Sequence, residues 1–206
     1  MPHTGGQADE SPDEGRSRVA TDTTAAGRRA FPWAWLAPSA VLLGAMAVWG
    51  AVRYPDVPGR VPQHIGPGGV DAWTDKDVWT VFVPVFVYAG LTLVLVACAA
   101  AAARTTPLDA LPEPRDPWGK AATSLTNRPA TAASAGRLVR ALLMLNAGFG
   151  LGFLPLCWTQ WRTAQTAAVP GWILPVTITA LVLSMVPLAL ACRYDMRAKR
   201  ARGRPA

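Results

Sequence analysis

Cysteine and histidine are nearly missing, at three and two of 206 residues. Cys98, Cys157 and Cys192 are too few and too scattered for a disulfide framework, and no spacing of His and Cys suits a metal. The expectation is therefore no metal site and no cofactor. Also missing are a phosphate-binding P-loop, a dinucleotide fingerprint, an HExxH pair and a GxSxG elbow, so the chain is not expected to be an enzyme. Charge itself disappears over four long stretches. These are Phe31–Val52 (22 residues), Val78–Ala103 (26), Ala141–Trp158 (18, or 21 if extended to Trp161) and Pro170–Cys192 (23). No acid or base lies within them to couple an ion, which argues against a transporter.

The same absence sets the fold class. A helix needs about 20 apolar residues to cross the hydrocarbon. A soluble helix rarely stays apolar on every face for so long. The expectation is an all-α membrane protein of four transmembrane helices, arranged as two helical hairpins with an ordered extracellular loop between the first two. The first run is too long, and lies too far from Met1, for a cleaved signal, so it reads as an uncleaved anchor.

Lys and Arg set the orientation. If both termini lie on one side, that side holds sixteen of them, against Arg53, Arg60, Lys76 and Arg162 on the other. Both termini are therefore expected in the cytoplasm and the 53–77 loop outside, with the cell membrane as the location. This places Cys98 and Cys192 near the reducing side and leaves Cys157 without an outer partner. The net charge of +7 reflects basic residues beside the spans, where anionic lipid attracts each by about 1 kcal/mol. No recognition motif accompanies them, and nucleic acid is not an expected partner.

In chain order, residues 1–30 carry five acids, four arginines and almost no large apolar side chain, which predicts a disordered cytoplasmic tail. Residues 31–103 form one unit of span, loop and span. Residues 104–136, with five prolines, form a cytoplasmic linker whose Trp118 can rest at the interface. Residues 137–192 form a second transmembrane hairpin, and 193–206 a basic cytoplasmic tail. Asp77 is placed to cap the second span, and Pro84 inside it frees carbonyls that neighbours must satisfy. In the third span Asn146 is the one strongly polar side chain. Gly148 and Gly152, four apart, share a face that lets another helix approach, and Asn146 is expected to bond across that contact.

The loop RYPDVPGRVPQHIGPGGVDAWTDKD is dense in Pro and Gly, a spacing through which neither helix nor strand is expected to run. Its Tyr54, Ile65, Trp73 and several charges distinguish it from a flexible spacer. It resembles the signature of a bacterial membrane family known as domain of unknown function 1648, a pattern also found in SdpI-like toxin-immunity proteins. The matching positions are Pro55, Pro58, Pro62, His64, Gly69, Asp71, Trp73 and Lys76, with Tyr54 beside them. The pattern commonly has an aromatic and then Asn after the His, where this chain has Ile65 and Gly66. The resemblance implies a membrane protein that uses this loop for recognition of an extracellular peptide or toxin. The plainer reading of His64 and Asp71 is that they bond each other or the loop backbone and hold its shape.

Two functions remain open: a sensing or immunity protein, and a non-catalytic accessory or structural subunit of a larger membrane complex. Partners are the lipid bilayer, with either a second membrane protein or another copy of the chain.

Overall fold

The computed structural model describes residues 31–66, 68–112, 116, 118–119, 127–162 and 166–202. The predicted disordered tail lies outside them, as does Pro67 of the loop. The helices and strands all belong to the unit Pro32–Ala206.

A short 3-10 turn, Trp33–Leu36, opens helix α1 (Ala37–Arg53). Helix α2 runs Val78–Arg104, α3 Ala132–Trp161, α4 Ile173–Ser184 and α5 Val186–Arg202. The fourth apolar run is thus two helices meeting at Met185, two residues before Pro187, which has no N–H to continue the ladder. Four helical stretches are long and apolar enough to cross a membrane, which makes this a multi-pass membrane protein. Large apolar side chains such as Val48, Leu93, Leu151 and Val182 lie on the surface, as expected of faces solvated by lipid tails.

The packing centres on α3, which meets α1, α2, α4 and α5. In its most apolar window 44% of residues are buried, against 17–22% in the other three stretches. Its start is set by Thr131, whose hydroxyl accepts from Ser134 N–H, so the helix begins five residues before the boundary expected at residue 137. At this end Asp195 of α5 accepts from Ala130 N–H at 2.7 Å and Arg202 donates to Ala130 O at 3.1 Å. The chain entering α3 is thereby tied to the end of α5.

The 53–77 loop differs from the expectation. It holds a two-stranded antiparallel hairpin, β1 (Arg60–Gly66) and β2 (Gly69–Asp75), preceded by the 3-10 turn Tyr54–Asp56. Proline density is a poor guide here because Pro55 and Pro58 fall before the strands. Only Pro62 lies within one, and both strands of a two-stranded sheet are edges, where a missing N–H is tolerated. Val61 and Val70 point into the protein while Arg60, His64 and Asp71 face out. The fold is therefore mostly helical with one small sheet.

The outer turns of α2 and α3 are joined through a defect. Pro84 has no N–H for the carbonyl of Thr80, four residues earlier. Gln160 Nε2 of α3 donates to that carbonyl at 2.8 Å, and Trp161 Nε1 donates to the next one, Val81 O, also at 2.8 Å. Trp161 is 2% exposed. Its ring fits against α1 because position 50 is glycine; a Cβ there would lie 2.8 Å from Trp161 Cζ2. Trp49 meets the same ring edge-on at 5.2 Å. Around it Met46, Val81, Val85, Tyr88 and Cys157 form the core, and Val57 and Val61 from the loop enter the same cluster. Burial of those two valines fastens the hairpin to the bundle.

Candidate functional site

The hairpin is held at three levels. At its base, Lys76 Nζ donates to Val57 O at 2.8 Å and to Pro55 O at 3.5 Å, and lies 4.7 Å from the Tyr54 ring centre. The Lys76 N–H also donates to Gly59 O at 2.8 Å. The cation thus closes the Tyr54–Asp56 turn onto the end of β2, and Tyr54 passes the contact on to Phe82 of α2 at 6.2 Å. In the middle, Val61 is 1% exposed in the core. At the tip, Val70 N–H donates to Ala167 O of the loop between α3 and α4 at 2.8 Å. Gly69 has φ of 116°, the turn conformation glycine adopts at least cost, and a side chain there would run into the Ala167 carbonyl. Arg162, at the end of α3, donates to the carbonyls of Thr166 and Ala168 and so steadies the segment that receives the tip. Asp77 caps α2 in a reciprocal box with Thr80 just beyond β2.

The motif residues fall into two groups on this frame. Tyr54, Pro55, Pro58 and Lys76 lie at the base, where Pro58 is half-buried, and Pro62 faces Trp73 across the strands. His64 faces Ala72, and Ile65 faces Val70, so Asp71 has no residue opposite it in the register. That irregularity turns Asp71 toward His64, whose Nδ1–H donates to Asp71 Oδ1 at 2.6 Å. The two side chains are 68% and 56% exposed, so the pair stands at the surface rather than in a cleft. Among the described residues no three His, Cys, Asp or Glu side chains converge as a metal site would require.

In the sequence Gly66 reads as one of the loop's turn glycines and as a departure from the family pattern; among the described residues the positive φ falls at Gly69 instead. In the structure a Cβ there would come within 2.6 Å of Asp71 Oδ2. The missing side chain leaves the space in which the carboxylate reaches His64.

The packing residues of α3 separate by face. Gly148 lies against Ser184 and Gly152 against Leu181, both of α4. Asn146, fully buried, faces α2 instead: its Oδ1 accepts from Thr92 Oγ1 at 3.1 Å, and its backbone carbonyl accepts from Tyr88 OH at 3.3 Å. The reading that Asn146 bonds across the Gly148–Gly152 contact is thus corrected. Residues 146 and 148 are two apart, on nearly opposite sides of a 3.6-residue turn. Gly150, four residues from Asn146, is the glycine on its side, and it faces Tyr88 and Leu42.

Two substitutions separate the frame from the exposed pair. Lys76→Met keeps the aliphatic stem but removes the donors to Val57 and Pro55. Expected is a loss of about 1 kcal/mol, or roughly 2–4 °C in Tm in detergent, with faster proteolysis at residues 54–59. His64→Ala is expected to move Tm by less than half as much, because exposed charged contacts contribute about 0–1 kcal/mol.

No curated protein and no solved structure matches the chain. One family model does match, described as domain of unknown function (DUF1648), over residues 41–88. These residues run from the first turns of α1 through the hairpin to Tyr88 in α2, so the stretch similar to that family has the His64–Asp71 pair at its centre.

Proposed function

We propose that the protein is a non-catalytic recognition protein of the sensing or toxin-immunity type. It presents the hairpin outside the cell membrane and keeps both termini in the cytoplasm. The observation that carries this reading is the His64–Asp71 pair, exposed on a hairpin whose base, middle and tip are each fastened to the helices. A rigid scaffold beneath exposed polar side chains is the usual form of a binding loop. Pre-ordering also lowers the entropic cost of binding, since the loop has little freedom left to lose. The partner this suits is an extracellular peptide or toxin whose polar groups bond the imidazole and the carboxylate. The likeness of the motif to that of SdpI-like immunity proteins supports the same reading. The orientation rests on the sixteen-to-four division of Lys and Arg.

The orientation is tested in intact cells with a membrane-impermeant thiol reagent on a background lacking Cys98, Cys157 and Cys192. A cysteine at the exposed Gln63 is expected to be labelled, and one at the exposed Asp109 is not; the reverse pattern overturns the assignment. The function is tested by survival. Cells expressing the protein are challenged with spent medium of its source organism, beside a His64→Ala, Asp71→Ala variant at equal level. Protection by the wild type, lost in a variant with unchanged melting, is the expected result. No protection by either would favour the accessory-subunit role.

A further inference from the structure

On the side of α3 away from the hairpin's core cluster, α1 and α4 stand apart and leave a groove of about 790 Å³. Ala147, Gly148 and Leu151 of α3 lie along it, with Pro38 of α1 on one side and Thr179 and Leu183 of α4 on the other. Its lining is almost wholly apolar. Ser184, the buried hydroxyl beside Gly148, donates internally to Leu181 O at 2.6 Å. A cleft of this kind in a bilayer offers water little to bond and fills with an apolar chain. A second hollow of about 340 Å³ continues it, sharing Trp35, Met144 and Pro187, and reaches Arg137, Arg140 and Tyr194.

We propose that the combined groove binds an anionic phospholipid, with an acyl chain beside α3 and the headgroup phosphate at Arg137 and Arg140. Length supports this. From Arg140 to Leu151 the helix rises roughly 16 Å at 1.5 Å per residue. One leaflet is about half of a 30 Å hydrocarbon layer. The groove therefore runs from an interface to the bilayer centre, the path of one lipid tail. Charge supports it as well. Among the described residues neither arginine pairs with a carboxylate. The Arg140 Nε donates to Gly136 O, leaving its terminal nitrogens for a ligand, and Arg137 lies 5.1 Å from the Tyr194 ring centre. Basic pockets between transmembrane helices, bordered by Trp and Tyr, suit phosphate headgroups in this way.

The test uses the full chain in nanodiscs of mixed phosphatidylglycerol and phosphatidylethanolamine, extracted gently and read by native mass spectrometry. Wild type is expected to retain phosphatidylglycerol preferentially. Arg137→Gln with Arg140→Gln is expected to lower that preference about thirtyfold, taking roughly 1 kcal/mol per cation, while Arg137→Lys with Arg140→Lys keeps most of it. Thr179→Trp, which fills the groove, is expected to lose both lipids while melting as the wild type does. Equal retention of the two lipids by wild type overturns the proposal. So does an unchanged preference in the glutamine pair, an equal loss in the lysine pair, or cross-linking through Thr179→Cys that shows a second copy covering a lipid-free groove.

Discussion

The structure depends on a helix defect and its repair. Pro84 leaves the Thr80 carbonyl without a donor from its own helix, and an unsatisfied acceptor removed from water costs about 1–3 kcal/mol. Gln160 and Trp161 supply the missing bonds from α3. Because they are the last residues of α3, the bonds also fix how far that helix extends beside α2. Gly50 then lets the Trp161 indole lie against α1, so one side chain of α3 meets both α1 and α2. The hairpin rests on this assembly through Val57 and Val61. Its exposed pair is consequently held over a bond network between the first turn of α2 and the last turn of α3.

Without a hydrophobic drive between helices, close packing and polar bonds must position them. The third long helix does this with different residues for each neighbour. Asn146 and Gly150 meet α2, where the amide bonds Thr92 and the glycine admits the Tyr88 ring. Gly148 and Gly152 meet α4. At the end away from the hairpin, Asp195 and Arg202 hold Ala130 and so fix where α3 starts. Large apolar side chains such as Val48, Leu93 and Val182 cover much of the remaining helix surface, as expected of faces solvated by lipid.

The large features are legible in the sequence because length and the absence of charge dictate them. The four runs, the Asp77 cap and the need of the Pro84 carbonyls for outside donors all follow from elementary chemistry. The hairpin is not legible, because counting prolines hides where they fall relative to the strands. Sequence alone leaves His64 and Asp71 two possible partnerships, and the register irregularity at Asp71 is what selects the mutual one. The roles of Gly66 and Gly150 escape notice for a shared reason: each lies in what occupies the space beside the glycine. Gln160 and Trp161 read only as an interfacial end to a span. Linking them to Pro84 needs contacts eighty residues apart in sequence, which no local pattern carries.

The most direct test is a double-mutant cycle between Pro84 and Gln160, read as unfolding free energy in one detergent. If the bond from Gln160 exists to satisfy the carbonyl that Pro84 orphans, Gln160→Met destabilises the wild type by about 1–3 kcal/mol, the cost of an unsatisfied buried acceptor. In a Pro84→Ala background the restored backbone N–H at position 84 can reach Thr80 O, and the same substitution then costs almost nothing. An equal cost in both backgrounds would contradict the account and leave Gln160 as an ordinary packing residue.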